Sequence, residues 1–171
     1  MKKAYFRRLF ALVSVLAAGL TANALGQSGG VYQIGTPEDL AAFADLVNSG
    51  ENKIDATLTA DIDFTGYTDK QIGTASFSYN GTFDGQGHKV TLNYQTRDDY
   101  TALFRYFGSS GTVKNLITDG TVTTSMRYVG GIAAEGWGKI LNCASYITIK
   151  CGYDGDGTNG GIIGRSHSAT V

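Results

Sequence analysis

The stretch Gly-Gly-Ile-Ala at residues 130–133 returns as Gly-Gly-Ile-Ile at residues 160–163, thirty residues further on. A second stretch, Gly-Thr-Val-Lys-Asn-Leu at 111–116, matches Gly-Lys-Ile-Leu-Asn-Cys at 138–143 with a spacing of 27, and residues 169–171 begin a third copy. A repeat of roughly 20–50 residues is typical of stacked supersecondary units, none of which buries its apolar face alone. We therefore expect a solenoid.

Apolar and polar residues alternate over short runs, which identifies the repeated units as β-strands. Ile54, Ala56 and Leu58 alternate with polar residues, and Val90 and Leu92 do the same. The segments between such runs are short and rich in the 24 glycines of the chain, so they leave no room for the helical crossovers that parallel strands normally need. Four to five coils are visible. The sequence thus predicts an all-β fold, a right-handed parallel β-helix.

One segment has the period of a helix. Thr36 is a good N-cap, Pro37 occupies the first helical position, Asp39 completes a capping box, and residues 48–50 (Asn-Ser-Gly) end the helix. We expect this helix, from about residue 37 to 47, to cover the first coil. One face of it carries four apolar residues: Leu40, Phe43, Ala44 and Val47.

The amino terminus has the pattern of a signal peptide. Four basic residues precede an apolar run at 9–20 that is too short for a membrane span, and Ala22-Asn23-Ala24 offers a cleavage site. We expect three parts: a signal peptide at 1–24, an N-terminal segment with the capping helix at 25–55, and coils at 56–171 that end in mid-coil. The expected location is secreted, cell surface or periplasm, with no membrane span after cleavage.

The net charge of the chain indicates which classes of molecule it can bind. Removal of residues 1–24 takes away four of the 14 basic residues, which leaves ten against fifteen acidic residues and a net charge of −5. No basic patch interleaved with aromatic residues is present, so we expect no nucleic-acid partner. Carbohydrate or a host or cell-surface protein remain as candidate partners.

Several motifs occur in the same order as in a known group of proteins. Residues 36–40 (Thr-Pro-Glu-Asp-Leu), 58–63 (Leu-Thr-Ala-Asp-Ile-Asp) and 81–88 (Gly-Thr-Phe-Asp-Gly-Gln-Gly-His), together with the Gly-Ile repeats, resemble secreted bacterial proteins with GLUG-type repeats. Such repeats occur in large cell-surface proteins, including non-catalytic regions of IgA-specific metallo-endopeptidases. The resemblance implies a right-handed parallel β-helix and supplies no catalytic residues.

The sequence lacks the common catalytic motifs. No HExxH motif and no GxSxG motif occurs, and the two histidines, His88 and His167, do not form a metal-ligand pair. Asp61 and Asp63 share a face at roughly 7 Å, a separation compatible with glycoside hydrolysis, but no cleft is expected beside the capping helix. Asp98 and Asp99 are interpreted as a solvated turn. We therefore predict no catalytic residues and no cofactor.

Two weaker sites are candidates. Asp154, Asp156 and Asn159 have the spacing that begins a calcium loop, but the glutamate expected at position twelve is absent, and an ordinary turn is the favoured explanation. Tyr128, Trp137 and Tyr153 form the best available patch for stacking on sugars. Cysteines 143 and 151 are expected to be unpaired, with a disulfide as the alternative.

The sequence favours a non-catalytic secreted or cell-surface module with an adhesion-like or display role. The alternative is the N-terminal fragment of a carbohydrate-active enzyme, a polysaccharide lyase or a glycosidase, whose catalytic coils lie downstream. Because Val171 aligns with Val113 and Ile140 before the chain stops, we also expect an open last coil, through which the protein self-associates.

Overall fold

The computed structural model describes residues 25–155 and 157–171. The predicted signal peptide at 1–24 and one calcium candidate, Asp156, lie outside the described residues. The described part contains one helix and fifteen strands: β1 (Gln27–Ser28), β2 (Val31–Ile34), α1 (Pro37–Asn48), β3 (Asp55–Leu58), β4 (Ile62–Asp63), β5 (Thr82–Asp84), β6 (Lys89–Thr96), β7 (Phe104–Phe107), β8 (Thr112–Lys114), β9 (Ile117–Thr124), β10 (Val129–Gly130), β11 (Ala133–Gly136), β12 (Lys139–Leu141), β13 (Ala144–Cys151), β14 (Asn159–Gly160) and β15 (Ile163–Ser166).

The strands form a parallel β-helix, as predicted. Sheet A has the order β1-β2-β3-β5-β8-β12, sheet B the order β4-β6-β9-β13, and sheet C the order β7-β11-β15, with β10 and β14 paired at the corner between sheets B and C. Every neighbouring pair is parallel except β1 with β2. The chain therefore passes through sheets A, B and C in turn once in each full coil.

The register confirms the repeat that the sequence shows. Gly130 pairs with Gly160, and the amide of Ile132 donates to the carbonyl of Ile162 at 2.9 Å. Phe83, Val113 and Ile140 are successive partners and form one buried column. The next position of that column is Val171, which is 67% exposed because no described coil covers it.

Asparagines occupy the corner between sheets A and B. Asn115 and Asn142 adopt left-handed backbone conformations, with φ of 52° and 51°. The side-chain amide of Asn142 donates to Asn115 at 2.7 Å, and that of Asn115 donates to Asp84 at 2.9 Å. Asparagine tolerates this conformation better than most residues, so Asn115 and Asn142 turn two successive coils in the same way, and their hydrogen bonds continue to Asp84 of the coil before.

The helix begins and ends close to the predicted residues. The Thr36 hydroxyl accepts from the Asp39 amide at 3.1 Å, and the Asp39 carboxylate accepts from the Thr36 amide at 3.0 Å, which confirms the capping box. The helix ends at Asn48, one residue beyond the predicted end, and Gly50 follows with a φ of 120°. The apolar face of the helix is fully buried, as expected.

The position of the helix in the stack differs from the prediction. The stack begins with β2, ahead of the helix, and β2 pairs with β3 behind it. In the first coil α1 thus takes the place that strands of sheets B and C occupy in later coils. The ring of Phe43 packs within 5.8–6.2 Å of the rings of Tyr32, Tyr79 and Phe83. The helix therefore closes this end of the core, although it does not precede the first strand.

The last described coil is packed on one side only. Its strand β13 pairs with β9, and the inward residues Ile149 and Cys151 are half-buried, whereas their partners in β9, Val122 and Thr124, are buried. Self-association through this edge stays a prediction. Within the described residues, no helix is long and apolar enough to cross a membrane.

The packing of the helix against the core can be tested by substitution of Phe43. Phe43→Ala removes a fully buried ring that contacts three other aromatic rings, so it should lower the free energy of unfolding by about 3–5 kcal/mol in urea denaturation. Phe77→Ala is the matched control, because that ring is 39% exposed and its loss should cost less than about 1 kcal/mol. Equal effects of the two substitutions would show that the helix is not part of the core.

Candidate functional site

Two tyrosines stand at the corner between sheets B and C. Tyr100 and Tyr128 have left-handed backbones, with φ of 66° and 62°, and the residues after them, Thr101 and Val129, are bridge partners in adjacent coils. The register brings the two rings into a stack, with centroids 4.8 Å apart and planes 19° apart. A non-glycine residue in this conformation carries strain, and ring stacking on the neighbouring coil contributes to holding it.

The outer surface of sheet C continues from these tyrosines. Tyr106, Glu135 and Arg165 occupy one register position on β7, β11 and β15, and they form a column across three coils. The ring of Tyr106 lies 5.2 Å from that of Tyr100, and partial burial raises the pKa of Tyr106. We call this surface the aromatic–arginine face; it consists of Tyr100, Arg105, Tyr106, Arg127, Tyr128, Glu135, Trp137, Tyr153, Arg165 and His167.

Asp99 orients one arginine of this face. Its carboxylate accepts from Nε of Arg127 and from the Arg127 backbone amide, both at 3.1 Å, and from Nη2 at 2.5 Å. Hydrogen bonding from Arg127 lowers the pKa of Asp99 and raises the pKa of Arg127. The guanidinium lies 5.3 Å from the Tyr128 ring centroid and 6.0 Å from that of Tyr153, within cation–π range.

Arg165 links three coils. Its Nη1 donates to the Tyr100 hydroxyl and to Oε1 of Glu135, both at 3.1 Å, and its guanidinium lies 5.1 Å from the Tyr128 ring. The hydrogen bond to Tyr100 raises the pKa of Arg165. Because Tyr100 and Arg165 are 65 residues apart, this contact depends entirely on the coil register.

Trp137 lies at the margin of the face, on the side towards sheet A. Its indole stacks on the His167 ring, with centroids 4.4 Å apart and planes 11° apart, yet the residue is 41% exposed. His167 Nε2 also lies 2.8 Å from Oε1 of Glu135, which ties the pair to the column. One coil earlier the same register position is Gly108, so no side chain from that position covers the other face of the indole.

The structure brings the three predicted sugar-stacking residues to one side of the molecule. Tyr128 and Tyr153 share the guanidinium of Arg127, and Trp137 is connected to them through His167, Glu135 and Arg165. Sequence reasoning missed Tyr100, Tyr106 and Glu135 of the face, and it missed Asp99, which binds Arg127. The spacing of 28 between Tyr100 and Tyr128 was the available signal, because it lies within the repeat length.

The interpretation of Asp98 and Asp99 as a solvated turn is half wrong. The Asp98 side chain is exposed and lies 3.6 Å from Arg105. Asp99 is half-buried and binds Arg127 through both carboxylate oxygens. The reason is that Asp99 lies at the corner, directly beneath Arg127 of the next coil. The sequence alone shows only a run of polar residues there and does not reveal this contact between coils.

The acidic pair considered for catalysis is occupied by local hydrogen bonds. Asp61 accepts from the Lys89 amide at 3.0 Å and lies 3.1 Å from Nδ1 of His88, while Asp63 accepts from the Thr65 hydroxyl at 2.6 Å. The Lys89 amide chiefly lowers the pKa of Asp61, and the Thr65 hydroxyl lowers that of Asp63. Both carboxylates are exposed and flank the buried Ile62.

The remaining candidates lie apart from the face or at its margin. Asp154 is exposed in the loop after β13, and Asn159 pairs with Val129 through β14. Among residues 25–155 and 157–171, no cluster of three His, Cys, Asp or Glu side chains could hold a metal ion, and calcium binding stays a hypothesis. Both cysteines are free, as expected; burial raises the pKa of Cys143, which takes the register position of Leu116.

Comparison with known proteins assigns this chain to no family. A protein of Evansella cellulosilytica named "Putative Gly-rich membrane protein" is 32% identical over 101 residues. The match covers 53% of this chain and 12% of that protein, so this chain spans about an eighth of the relative's length. No family model and no solved structure matches the chain. The chain is thus a parallel β-helix with an aromatic–arginine face, and its place among GLUG-repeat proteins stays a prediction.

The ion pair at the corner predicts a pH dependence. The lowered pKa of Asp99 means that its stabilising contribution is complete above the unfolded pKa of about 3.9 and is lost as pH falls through the lower folded value. Asp99→Asn should therefore lower the urea midpoint at pH 7, and its difference from wild type should shrink below about pH 4. The exposed Asp98→Asn is the control and should change the midpoint little. A constant effect of Asp99→Asn from pH 7 to 3 would contradict the assignment.

Proposed function

We propose that this chain is a non-catalytic, exported β-helix module that binds carbohydrate with its aromatic–arginine face, in an adhesion or display role. The observation that carries the proposal is the continuous set of rings and guanidinium groups on one outer surface, drawn from three successive coils. Export is supported by the signal-peptide pattern at 1–24, which is a sequence argument.

The chemistry of the face suits sugars. Aromatic rings offer flat apolar surfaces to the C–H faces of a sugar, and indole and phenol rings lose little conformational freedom when they bind. Trp137 is held flat against His167 and still exposes much of its surface. The guanidinium groups are oriented by Asp99 and Glu135 before any ligand arrives, which reduces the entropy lost on binding.

The state of the carboxylates supports a binding role over catalysis. A general acid in a glycosidase needs a raised pKa, which burial or a nearby negative charge supplies. Among the described residues, every carboxylate with a resolved shift has a lowered pKa, because hydrogen-bond donors hold its charged form: Asp61, Asp63, Asp84 and Asp99. Glu135 is also engaged, by Arg165 and His167.

Binding to immobilised polysaccharides tests the proposal. The purified chain should bind at least one glycan, and Trp137→Ala and Tyr128→Ala should each weaken that binding by about tenfold or more, the loss of an aromatic hot spot worth at least about 1.4 kcal/mol. Tyr146→Ala is the matched control: this tyrosine is 69% exposed but lies on sheet B, away from the face, so its loss should leave affinity unchanged.

Two results would contradict this function. If the wild type binds none of the glycans, or if Tyr146→Ala weakens binding as much as Trp137→Ala, the face is not the binding site. Release of shortened sugar chains by the wild type, abolished by Asp61→Asn or Asp63→Asn, would instead identify the carbohydrate-active enzyme.

A further inference from the structure

A groove of about 720 Å³ lies where the strands of sheet B end, next to the aromatic–arginine face. We call it the corner groove. Three rows of residues line it, one from each of three successive coils, and the register of β6, β9 and β13 aligns the rows. The rows are Gln95-Thr96-Arg97, Thr123-Thr124-Ser125 and Lys150-Cys151-Gly152.

The groove contains two cations without carboxylate partners. Of the ten lysines and arginines in the described chain, six form salt bridges with acidic residues. Arg97 and Lys150 are exposed and have no such partner among the described residues, and the other two of this kind, Lys53 and Lys139, lie elsewhere. Among residues 25–155 and 157–171, no acidic side chain lines the groove. In a chain with an excess of acidic residues, this arrangement makes the corner groove a local site for anions.

The two cations are spaced along the stack. Lys150 lies in register with Thr123, and Thr123 with Gln95, so the rows that carry Lys150 and Arg97 are two coils apart. Two coil spacings amount to roughly 10 Å. An elongated ligand that runs along the coil axis would meet one cation near each end of the groove, whereas a single small anion would meet only one.

The groove chemistry favours a sugar chain over a peptide or a nucleic acid. The backbone of Thr123 and Thr124 is paired on both sides, with β6 and with β13, so the middle row of the groove offers no free strand edge to an extended peptide, and the free edge of β13 faces away from this row and from Arg97. The described residues that line the groove include no aromatic side chain on which bases could stack. Its exposed Gln95, Thr123 and Ser125 present amide and hydroxyl groups that can hydrogen-bond to sugar hydroxyls.

Each row of the corner groove is followed closely along the chain by a tyrosine of the aromatic–arginine face. Arg97 and Ser125 each precede a tyrosine of the face by three residues, and Gly152 directly precedes Tyr153. A sugar chain in the groove therefore has the rings of Tyr100, Tyr128 and Tyr153 close along one side. Cations and rings together recognise a chain with both acidic groups and apolar sugar faces.

We infer that the corner groove binds an acidic polysaccharide that runs along the coil axis, with Arg97 and Lys150 contacting its negatively charged groups. This inference rests on the proposed function, since it specifies the kind of glycan that the module takes. Carboxylate and sulfate groups share the required chemistry, so the experiment includes one polymer of each type.

The test measures affinity for three polymers: polygalacturonate, which carries carboxylates, its fully methyl-esterified form, which is neutral, and chondroitin sulfate. Wild type should bind at least one charged polymer about tenfold more tightly than the neutral one, and salt should weaken that binding. The double variant Arg97→Gln/Lys150→Gln should lose this preference. Lys53→Gln/Lys139→Gln removes the same charge from unpaired lysines elsewhere and should keep it.

Three results would overturn the inference. Equal loss in the two double variants would show that overall charge, and not the groove, attracts the polymer. Equal binding of charged and neutral polymers would exclude anion recognition while leaving the carbohydrate-binding function in place. If the wild-type protein binds no polymer at all, both proposals fail. Circular dichroism is used as a control to establish that each variant is folded.

Discussion

Every coil of this protein must return to the same register one strand spacing further along the axis, and the remaining structure depends on that constraint. The successive partners Ala56, Phe83, Val113 and Ile140 are 27, 30 and 27 residues apart. The residues by which the coils differ in length lie in corners and loops, so the pairing of the strands is the same in every coil. Left-handed corner residues such as Asn115 and Asn142 turn the chain, and their hydrogen-bonded side chains couple the turn of one coil to the next. Once one coil is in place, its neighbour has little freedom.

The same register organises the outer surface. Residues far apart in sequence become direct neighbours, and oppositely charged residues from different coils meet: Lys114 with Asp84, Lys89 with Asp119, Arg127 with Asp99 and Arg165 with Glu135. Opposite charges on adjacent strands stabilise a sheet, whereas like charges destabilise it. On sheet C these pairs have a further consequence, because they hold guanidinium groups against tyrosine rings. A structural requirement of the stack thus also prepares a surface with the rigidity that ligand binding requires.

Sequence patterns predicted the elements with local causes. The capping box of Thr36 and Asp39 and the apolar face around Phe43 depend on residues three or four apart, and the helix formed where they indicated. The Gly-Ile repeats predicted the pairing of Gly130 with Gly160, because a fixed repeat places equivalent residues above one another. The pattern did not show that β2 opens the stack ahead of the helix, since a four-residue strand with three half-buried residues carries a weak alternation. The candidate site was predicted in part: Tyr128, Trp137 and Tyr153 were recognised as exposed aromatic residues, without their arginine and acidic partners.

The sequence by itself determined the coil repeat, the inward columns, the capping helix and the acidic excess of residues 25–171. Tertiary structure alone decided which outward residues meet. Arg165 contacts Tyr100 across 65 residues, and Asp99 is half-buried beneath Arg127 although both lie in polar stretches. Arg97 and Lys150, which form no salt bridge within the described residues, line one groove although they are 53 positions apart in the sequence. The physical reason is that a repeat gives distances along the chain, whereas contacts across coils depend on the number of residues at each corner. Those numbers determine the register of each strand, and they are known only when the coils are closed.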